Sequence, residues 1–123
     1  MKNELQNQII IYEGDDGESH IEVRFEGETV WLSQAQLVDL YQSSKSNISE
    51  HIKNIYSEKE LIPEATVRKF RTVQKEGNRE VSRDIEHYSL DMIIALGYRV
   101  KSQIATKFRI WATARLKEYI IKG

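Results

Sequence analysis

Apolar and polar residues alternate in the first quarter of the chain. In IEVRFEGETVWL (residues 21–32) this alternation places apolar side chains on one face of a strand. QIIIYE (8–13) is rich in β-branched residues, and GDDGES (14–19) between the two segments is rich in turn-forming residues. Gly27 is expected to start a second strand within the later segment. The pattern predicts a small antiparallel sheet over residues 8–32.

Residues 33–59 change to a helical period. Ser33 and Gln36 have the spacing of a capping box, and Ser44 can cap a second helix. The second helix is expected to run to about residue 59, since Pro63 disfavours helix at the residue before it. The predicted buried stripes are Leu37, Leu40 and Tyr41 in the first helix and Ile48, Ile52 and Ile55 in the second. The sequence therefore predicts two helices joined by a short turn.

Beyond Pro63, two β-rich runs flank a Gly-Asn dipeptide at 77–78, which predicts a β-hairpin over residues 66–88. Ser89 can then cap a short helix that Gly97 closes, and residues 103–121 show the broad apolar face of a longer amphipathic helix. The C-terminal helices thus occupy residues 89–121. No linker or repeat divides the chain, so we expect a single α+β domain over residues 1–123.

Composition excludes several classes of function. The chain has no cysteine and three scattered histidines, so no disulfide and no metal site are expected. No apolar run approaches the roughly 18 residues that span a bilayer, and the N-terminus lacks the basic and apolar regions of a signal peptide. We therefore expect a cytoplasmic protein. We also expect no enzyme, no cofactor and no small-molecule substrate, because no nucleophile, phosphate loop or metal cluster is visible.

Charge is distributed unevenly along the chain. Residues 1–61 hold 5 Lys and Arg against 12 Asp and Glu, whereas residues 62–123 hold 13 against 7, although the net charge is only −1. This asymmetry fits a module that touches phosphate on one side, and it equally fits two halves that neutralise each other in a fold or a dimer.

The two helices at 33–59 have the pattern of a helix-turn-helix, whose second helix meets base edges in the major groove. Gln42 and Ser43 depart from that pattern, because glycine and a small aliphatic residue are usual in the turn. The alternative is an ordinary helical hairpin with a solvated polar face. The predicted DNA-contacting residues of the second helix are Ser44, Lys45, Ser46, Asn47, Ser49, Glu50 and Lys53.

The predicted hairpin is basic, with a net charge of +4 over residues 66–83. A basic hairpin after a helix-turn-helix is the layout of a winged helix, in which the hairpin contacts phosphate. The alternative is a solubilising edge hairpin. The predicted contact residues are Arg68, Lys69, Arg71, Lys75, Asn78, Arg79 and Arg83. The expected architecture is thus winged helix-turn-helix-like, with a small N-terminal sheet, a basic hairpin and a long C-terminal helix.

Four segments resemble a known family: ETVWLSQAQLVDLY, SKSNISEHIKNIY, FRTVQKEGNREVSRDIEHYSLDMIIALGYRV and FRIWATARLKEYIIKG. They are similar to the N-terminal region of the RhuM family of bacterial virulence-associated proteins, which is related in organisation to the Bro-N and KilA-N DNA-binding domains of phage antirepressors. The resemblance covers residues 9–123. Family members are usually longer, so it implies that this chain can be a fragment. It further implies a DNA-binding or regulatory module.

These observations lead to two hypotheses. The first is a transcriptional regulator or antirepressor-like module that binds double-stranded DNA through the second helix and the basic hairpin. The second is an interaction domain that recruits a toxin, a repressor or a second copy of itself through Trp111, Tyr119 and their neighbours. A homodimer through the C-terminal helix is compatible with both, since helix-turn-helix modules commonly read two-fold sites.

Overall fold

The computed structural model describes residues 8–14, 17 and 20–122, and only the backbone of residues 119–122. Most of the predicted turn at 14–19 lies outside the described residues. Over the described residues the fold is α+β, as predicted, with a five-stranded antiparallel sheet and five helices. The elements are β1 Gln8–Glu13, β2 His20–Glu26, β3 Thr29–Ser33, α1 Gln34–Tyr41, α2 Lys45–Ser57, α3 Pro63–Thr66, β4 Val67–Glu76, β5 Arg79–Ser89, α4 Leu90–Arg99 and α5 Ile104–Lys122.

The sheet has the strand order β1-β2-β3-β5-β4. The predicted N-terminal sheet and the predicted hairpin form one sheet, because β3 pairs with β5 through Trp31 opposite Ser89 and Ser33 opposite His87. Gly27 does not start a strand: it lies in the turn between β2 and β3 with φ of +68°, a conformation that glycine adopts without a steric penalty.

The hairpin of β4 and β5 closes with a two-residue turn, since Glu76 pairs with Arg79. Gly77 has φ of +64°, as expected for the first position of a type II′ turn. Because β3 pairs with β5 at residues 87–89 and no further along it, the eight residue pairs from 69–86 to 76–79 extend past β3. We call residues 69–86 the arm; at about 3.4 Å per residue it is roughly 25 Å long.

Helices α1, α2, α4 and α5 enclose the core on one face of the sheet. The predicted stripes of α1 and α2 are confirmed as buried. The capping box of Ser33 with Gln36 is also confirmed, and Ser44 Oγ accepts a hydrogen bond from the backbone N–H of Asn47. Ser89 occupies the N-cap position of α4 but makes no capping hydrogen bond, so that prediction is wrong. Its hydroxyl is buried without a hydrogen-bond partner among the described residues.

Gly97 does not close α4, which continues to Arg99. Its lack of a side chain serves helix packing instead: a Cβ placed on Gly97 would overlap the Cβ of Ala105 in α5 and lie 3.1 Å from the hydroxyl of Tyr41 in α1. The Tyr41 hydroxyl donates a hydrogen bond to the carbonyl oxygen of Ile93. Three helices therefore meet at Gly97, and the sequence indicated only a helix end there.

Helix α5 packs through aromatic rings against the N-terminal strands. The ring of Phe108 lies 5.1 Å from that of Tyr12, and the ring of Trp111 lies 5.0 Å from Tyr12 and 5.9 Å from Phe25. Trp111 is half-buried, so much of the predicted interaction residue belongs to the core; the side chain of Tyr119 lies outside the described residues. In the part of the chain that the structure covers, no helix combines the length and apolar character needed to cross a membrane.

Candidate nucleic-acid interface

The turn between α1 and α2 holds the two helices in a defined arrangement despite its unusual residues. Gln42, at the position where glycine is commonest, has φ of +53°, and its side chain donates a 2.8 Å hydrogen bond to the carbonyl oxygen of Asp39. The backbone N–H of Ser43 donates to the carbonyl oxygen of Val38. Leu37 and Ile48, on the two helices, are both fully buried. Helices α1 and α2 therefore pack together although Gln42, and not glycine, adopts the left-handed conformation.

All seven predicted contact residues of α2, from Ser44 to Lys53, are exposed. Lys45 and Lys53 make no ion pair among the described residues, and the first turn of α2 contains no acidic residue. An anion at this helix end would meet orphaned backbone N–H groups as well as the Lys45 side chain. Asn47 is less available than expected, because its side-chain amide donates a 2.8 Å hydrogen bond to Ser43 Oγ.

Carboxylates neutralise part of the arm. Arg83 donates two hydrogen bonds, of 2.7 and 2.9 Å, to Glu76, and these hydrogen bonds hold the pKa of Glu76 below its ordinary value. Arg71 lies 3.4 Å from Asp84 across the hairpin. With Glu86 also included, the arm has a net charge of +1. The sequence segment 66–83 overstated the positive charge because the acids that pair with its cations lie partly beyond it.

Three cations of the arm make no ion pair among the described residues: Lys69, Lys75 and Arg79. All three are exposed, as is Asn78 in the turn. Lys75 and Arg79 flank the turn, so the unpaired positive charge is concentrated at the tip of the arm. The predicted contact residues in the arm therefore divide into unpaired cations, with Lys75 and Arg79 near the tip and Lys69 at the base, and arginines held by carboxylates.

Arg68 is not one of these unpaired cations. Its guanidinium lies 3.2 Å from Glu26 and stacks 5.0 Å from the ring centroid of Trp31. Trp31 in turn contacts Phe70 edge to face, and Arg24 lies 4.7 Å above the Phe70 ring. These residues form a cluster on the sheet face opposite the helices, which ties β2, β3 and β4 together. Arg68 therefore belongs to this cluster, whereas the sequence pattern predicted it as a phosphate contact.

His87 lies beneath the same cluster and is 5% exposed. Its Nδ1 is 2.9 Å from the carbonyl oxygen of Ile85, so that nitrogen carries the hydrogen. Burial lowers the pKa of His87 below its ordinary value, and the charge of Arg24 lowers it further. The unfolded chain therefore binds this proton more readily than the folded chain.

We expect His87 to make the fold acid-sensitive. Since its pKa is lower in the folded state, its contribution to stability is complete above the unfolded pKa, about 6.5, and is lost as pH falls. The loss cannot exceed about 1.4 kcal/mol per pH unit for one group. Between about pH 7.5 and 5.5, the free energy of unfolding measured in urea should fall less for His87→Gln than for the wild type. An equal drop in both proteins would contradict the assignment.

A cleft of about 640 Å³ connects the two predicted contact elements. It lies between α1, the first residue of α2 and the arm. Lys45 faces it from α2, and Gln74, Asp84 and Glu86 face it from the arm. Asp39 adds a further carboxylate from α1. The start of α2 and the arm therefore border one opening, whose lining carries three carboxylates and one lysine.

The comparisons with known proteins concern mainly the second half of the chain. The chain matches no curated protein and no solved structure. The sequence model of the virulence protein RhuM family matches residues 65–123, a span that holds β4, β5, α4 and α5. This match confirms the predicted resemblance over that span. Residues 65–123 of the chain thus resemble the virulence protein RhuM family.

Proposed function

We propose that the chain is a DNA-binding regulatory module of winged helix-turn-helix type. In this proposal α2 enters the major groove and the tip of the arm contacts phosphate. The observation that carries it is the cleft, because the start of α2 and the arm border the same opening. A duplex that lies across the mouth of the cleft, with its phosphates away from the carboxylates inside, meets both elements at once, as recognition helix and wing do in winged-helix proteins.

On α2, the side opposite the buried Ile48 stripe carries Ser46, Glu50 and Lys53, spaced four and three residues apart. A helix fits the major groove, which is about 12 Å wide. Glu50 can accept from the amino group of cytosine. Glu50 repels phosphate, so in this proposal it serves base reading and contributes nothing to backbone affinity.

Backbone affinity comes from five cations that make no ion pair among the described residues: Lys45, Lys53, Lys69, Lys75 and Arg79. Each phosphate contact contributes about −0.9 to the slope of log affinity against log salt concentration. If all five contact phosphate, raising salt from about 50 to 200 mM weakens binding on the order of 500-fold. The paired Arg71 and Arg83 contribute less, because they must leave a carboxylate first.

The test is a fluorescence anisotropy titration against duplex DNA at those two salt concentrations. The double variant Lys75→Ala/Arg79→Ala should bind more weakly at the lower salt concentration, and its weakening with salt should fall to about 40-fold, because two contacts are lost. Both residues are exposed at the tip of the arm, so the fold should be unaffected.

The matched control is Arg109→Ala/Lys117→Ala, which removes two exposed cations from α5. It makes the same change in net charge outside α2 and the arm, and it should bind DNA nearly as the wild type does. Equal loss in both double variants would mean that net charge alone governs binding. No binding of the folded wild type at the lower salt concentration would reject the proposal.

A second candidate is the protein-interaction domain, favoured by an exposed apolar surface on α4 and α5. Tyr98 is 78% exposed and Ile110 is 58% exposed. Tyr98 and Arg109 also line a small cleft between these two helices. Large apolar side chains exposed together mark interaction surfaces. This candidate, including a homodimer through α5, predicts assembly that Ile110→Lys weakens and that needs no DNA.

A further inference from the structure

The two edges of the sheet are protected to different degrees. The β4 edge carries three cations, Lys69, Arg71 and Lys75, on one face, and charged residues hinder pairing of an exposed edge with another strand. The β1 edge, QIIIYE, has no lysine, arginine or proline and only one acid, Glu13, at its end. Among the described residues nothing pairs with the outer side of β1. Its free backbone N–H and C=O groups can therefore accept another strand.

Strand β1 also exposes apolar side chains on both faces. Ile9 and Ile11 are each 50% exposed on the face away from the helices. On the helix side Ile10 is half-buried, and the half-buried Trp111 lies beneath the neighbouring Tyr12. An edge strand that is open, uncharged at its centre and apolar on both faces has the properties of an interface.

We propose that β1 pairs antiparallel with β1 of a second copy of this chain, which joins the two sheets into one of ten strands. We infer a second copy of the chain as the partner, because the side chains of β1 pair favourably with those of another β1. A two-fold axis through Ile10 sets Ile9 opposite Ile11 of the second copy and Ile11 opposite Ile9 of the second copy. Residues opposite each other on antiparallel strands lie on the same face, so four isoleucines form one cross-strand patch. Ile10 meets its own equivalent on the helix side.

Neighbouring registers fit less well. A shift by one residue would set Ile10, on the core side, opposite an outward-facing residue, which the alternation of side chains forbids when both sheets keep their helices on one side. A shift by two residues in one direction sets Ile9 opposite Glu13 of the other copy, which puts a carboxylate against an isoleucine; in the other direction it sets Ile11 beyond the end of the other strand. The register centred on Ile10 is therefore the one that the side chains favour.

Cross-linking tests the register directly, because the chain has no cysteine of its own. The variant Ile9→Cys/Ile11→Cys places cysteines in opposite pairs, within reach of a disulfide across antiparallel strands. Mild oxidation should convert most of the protein to a covalent dimer on a non-reducing gel. The control Ile62→Cys/Ile110→Cys, at positions 56% and 58% exposed, should stay largely monomeric. No preference of the first variant over the second would overturn the proposal.

Light scattering after gel filtration tests the interface without a cross-link. At about 100 μM, where a dimer with micromolar Kd is mostly assembled, the wild type should have twice the mass of the chain. Ile9→Lys/Ile11→Lys should be a monomer with an unchanged circular dichroism spectrum, since both side chains are exposed. The matched control Ile110→Lys should remain a dimer. A monomeric wild type, or a dimer that Ile110→Lys dissociates and the β1 variant does not, would overturn the proposal.

Discussion

Replacing Gly97 with alanine is expected to lower the free energy of unfolding by about 3 kcal/mol. An alanine in a helix interior ordinarily stabilises a fold by up to about 1 kcal/mol relative to glycine, so the expected sign is unusual. The reason is the close approach of α4 and α5, where the new Cβ would overlap the Cβ of Ala105. The Tyr41 hydroxyl closes a second side of this space, so α4 cannot shift away without moving α1 as well.

A double variant gives the sharpest test of this clash. Ala105→Gly removes the methyl group that Gly97→Ala would strike, so the two changes together should recover much of the lost stability. Their coupling free energy, measured by urea unfolding of the wild type, both single variants and the double variant, should be on the order of 1 to 3 kcal/mol. Additive effects, or a stabilising Gly97→Ala, would show that α4 and α5 are not in contact at this point.

Replacing Phe108 with alanine is expected to lower the free energy of unfolding by about 3 to 5 kcal/mol. Phe108 is fully buried in α5 and meets the rings of Tyr12 and Trp111, so truncation leaves a cavity between the helix and the first strand. Urea unfolding followed by circular dichroism gives the change in stability. Tryptophan fluorescence should also change, because Trp111 loses a neighbouring ring.

The matched control for Phe108 is two residues away on the same helix. Ile110 is 58% exposed, so Ile110→Ala removes apolar atoms from α5 without opening a cavity and should change stability by less than about 0.5 kcal/mol. A similar loss in both variants would mean that helix α5 is rotated relative to the arrangement described here. This pair of variants therefore also checks which face of α5 is available to a partner.

Local features of the sequence were sufficient to predict several elements. The capping box at Ser33 and the cap at Ser44 define where α1 and α2 begin, because a side chain three residues from an orphaned N–H group satisfies it within one turn. The Gly77-Asn78 dipeptide likewise indicated where the hairpin turns. The exposure of the predicted contact residues on α2 also followed from the helical period, since the buried stripe determines the opposite face. These features depend on residues a few positions apart.

Contacts between distant parts of the chain were decided only by the tertiary structure. The pairing of Trp31 with Ser89 joins two segments whose pairing the sequence did not predict, because no local pattern specifies which strands become neighbours. The same holds for charge: the ion pair of Arg71 with Asp84 and the stacking of Arg68 on Trp31 depend on strand register, so a count of cations overestimated the free positive charge.

Gly97 has both a local sequence signal and contacts with distant residues. Its sequence context indicated a helix end, because glycine is the commonest residue after the last turn of a helix. The structure uses the missing Cβ for contact with Ala105 and Tyr41, which lie on other helices. The sequence by itself determined where α1 and α2 begin, the turn of the hairpin and the exposed face of α2, because neighbouring residues govern them. Only the tertiary structure decided which strands pair, which cations stay free and why α4 continues through a glycine, because those outcomes depend on packing between distant residues.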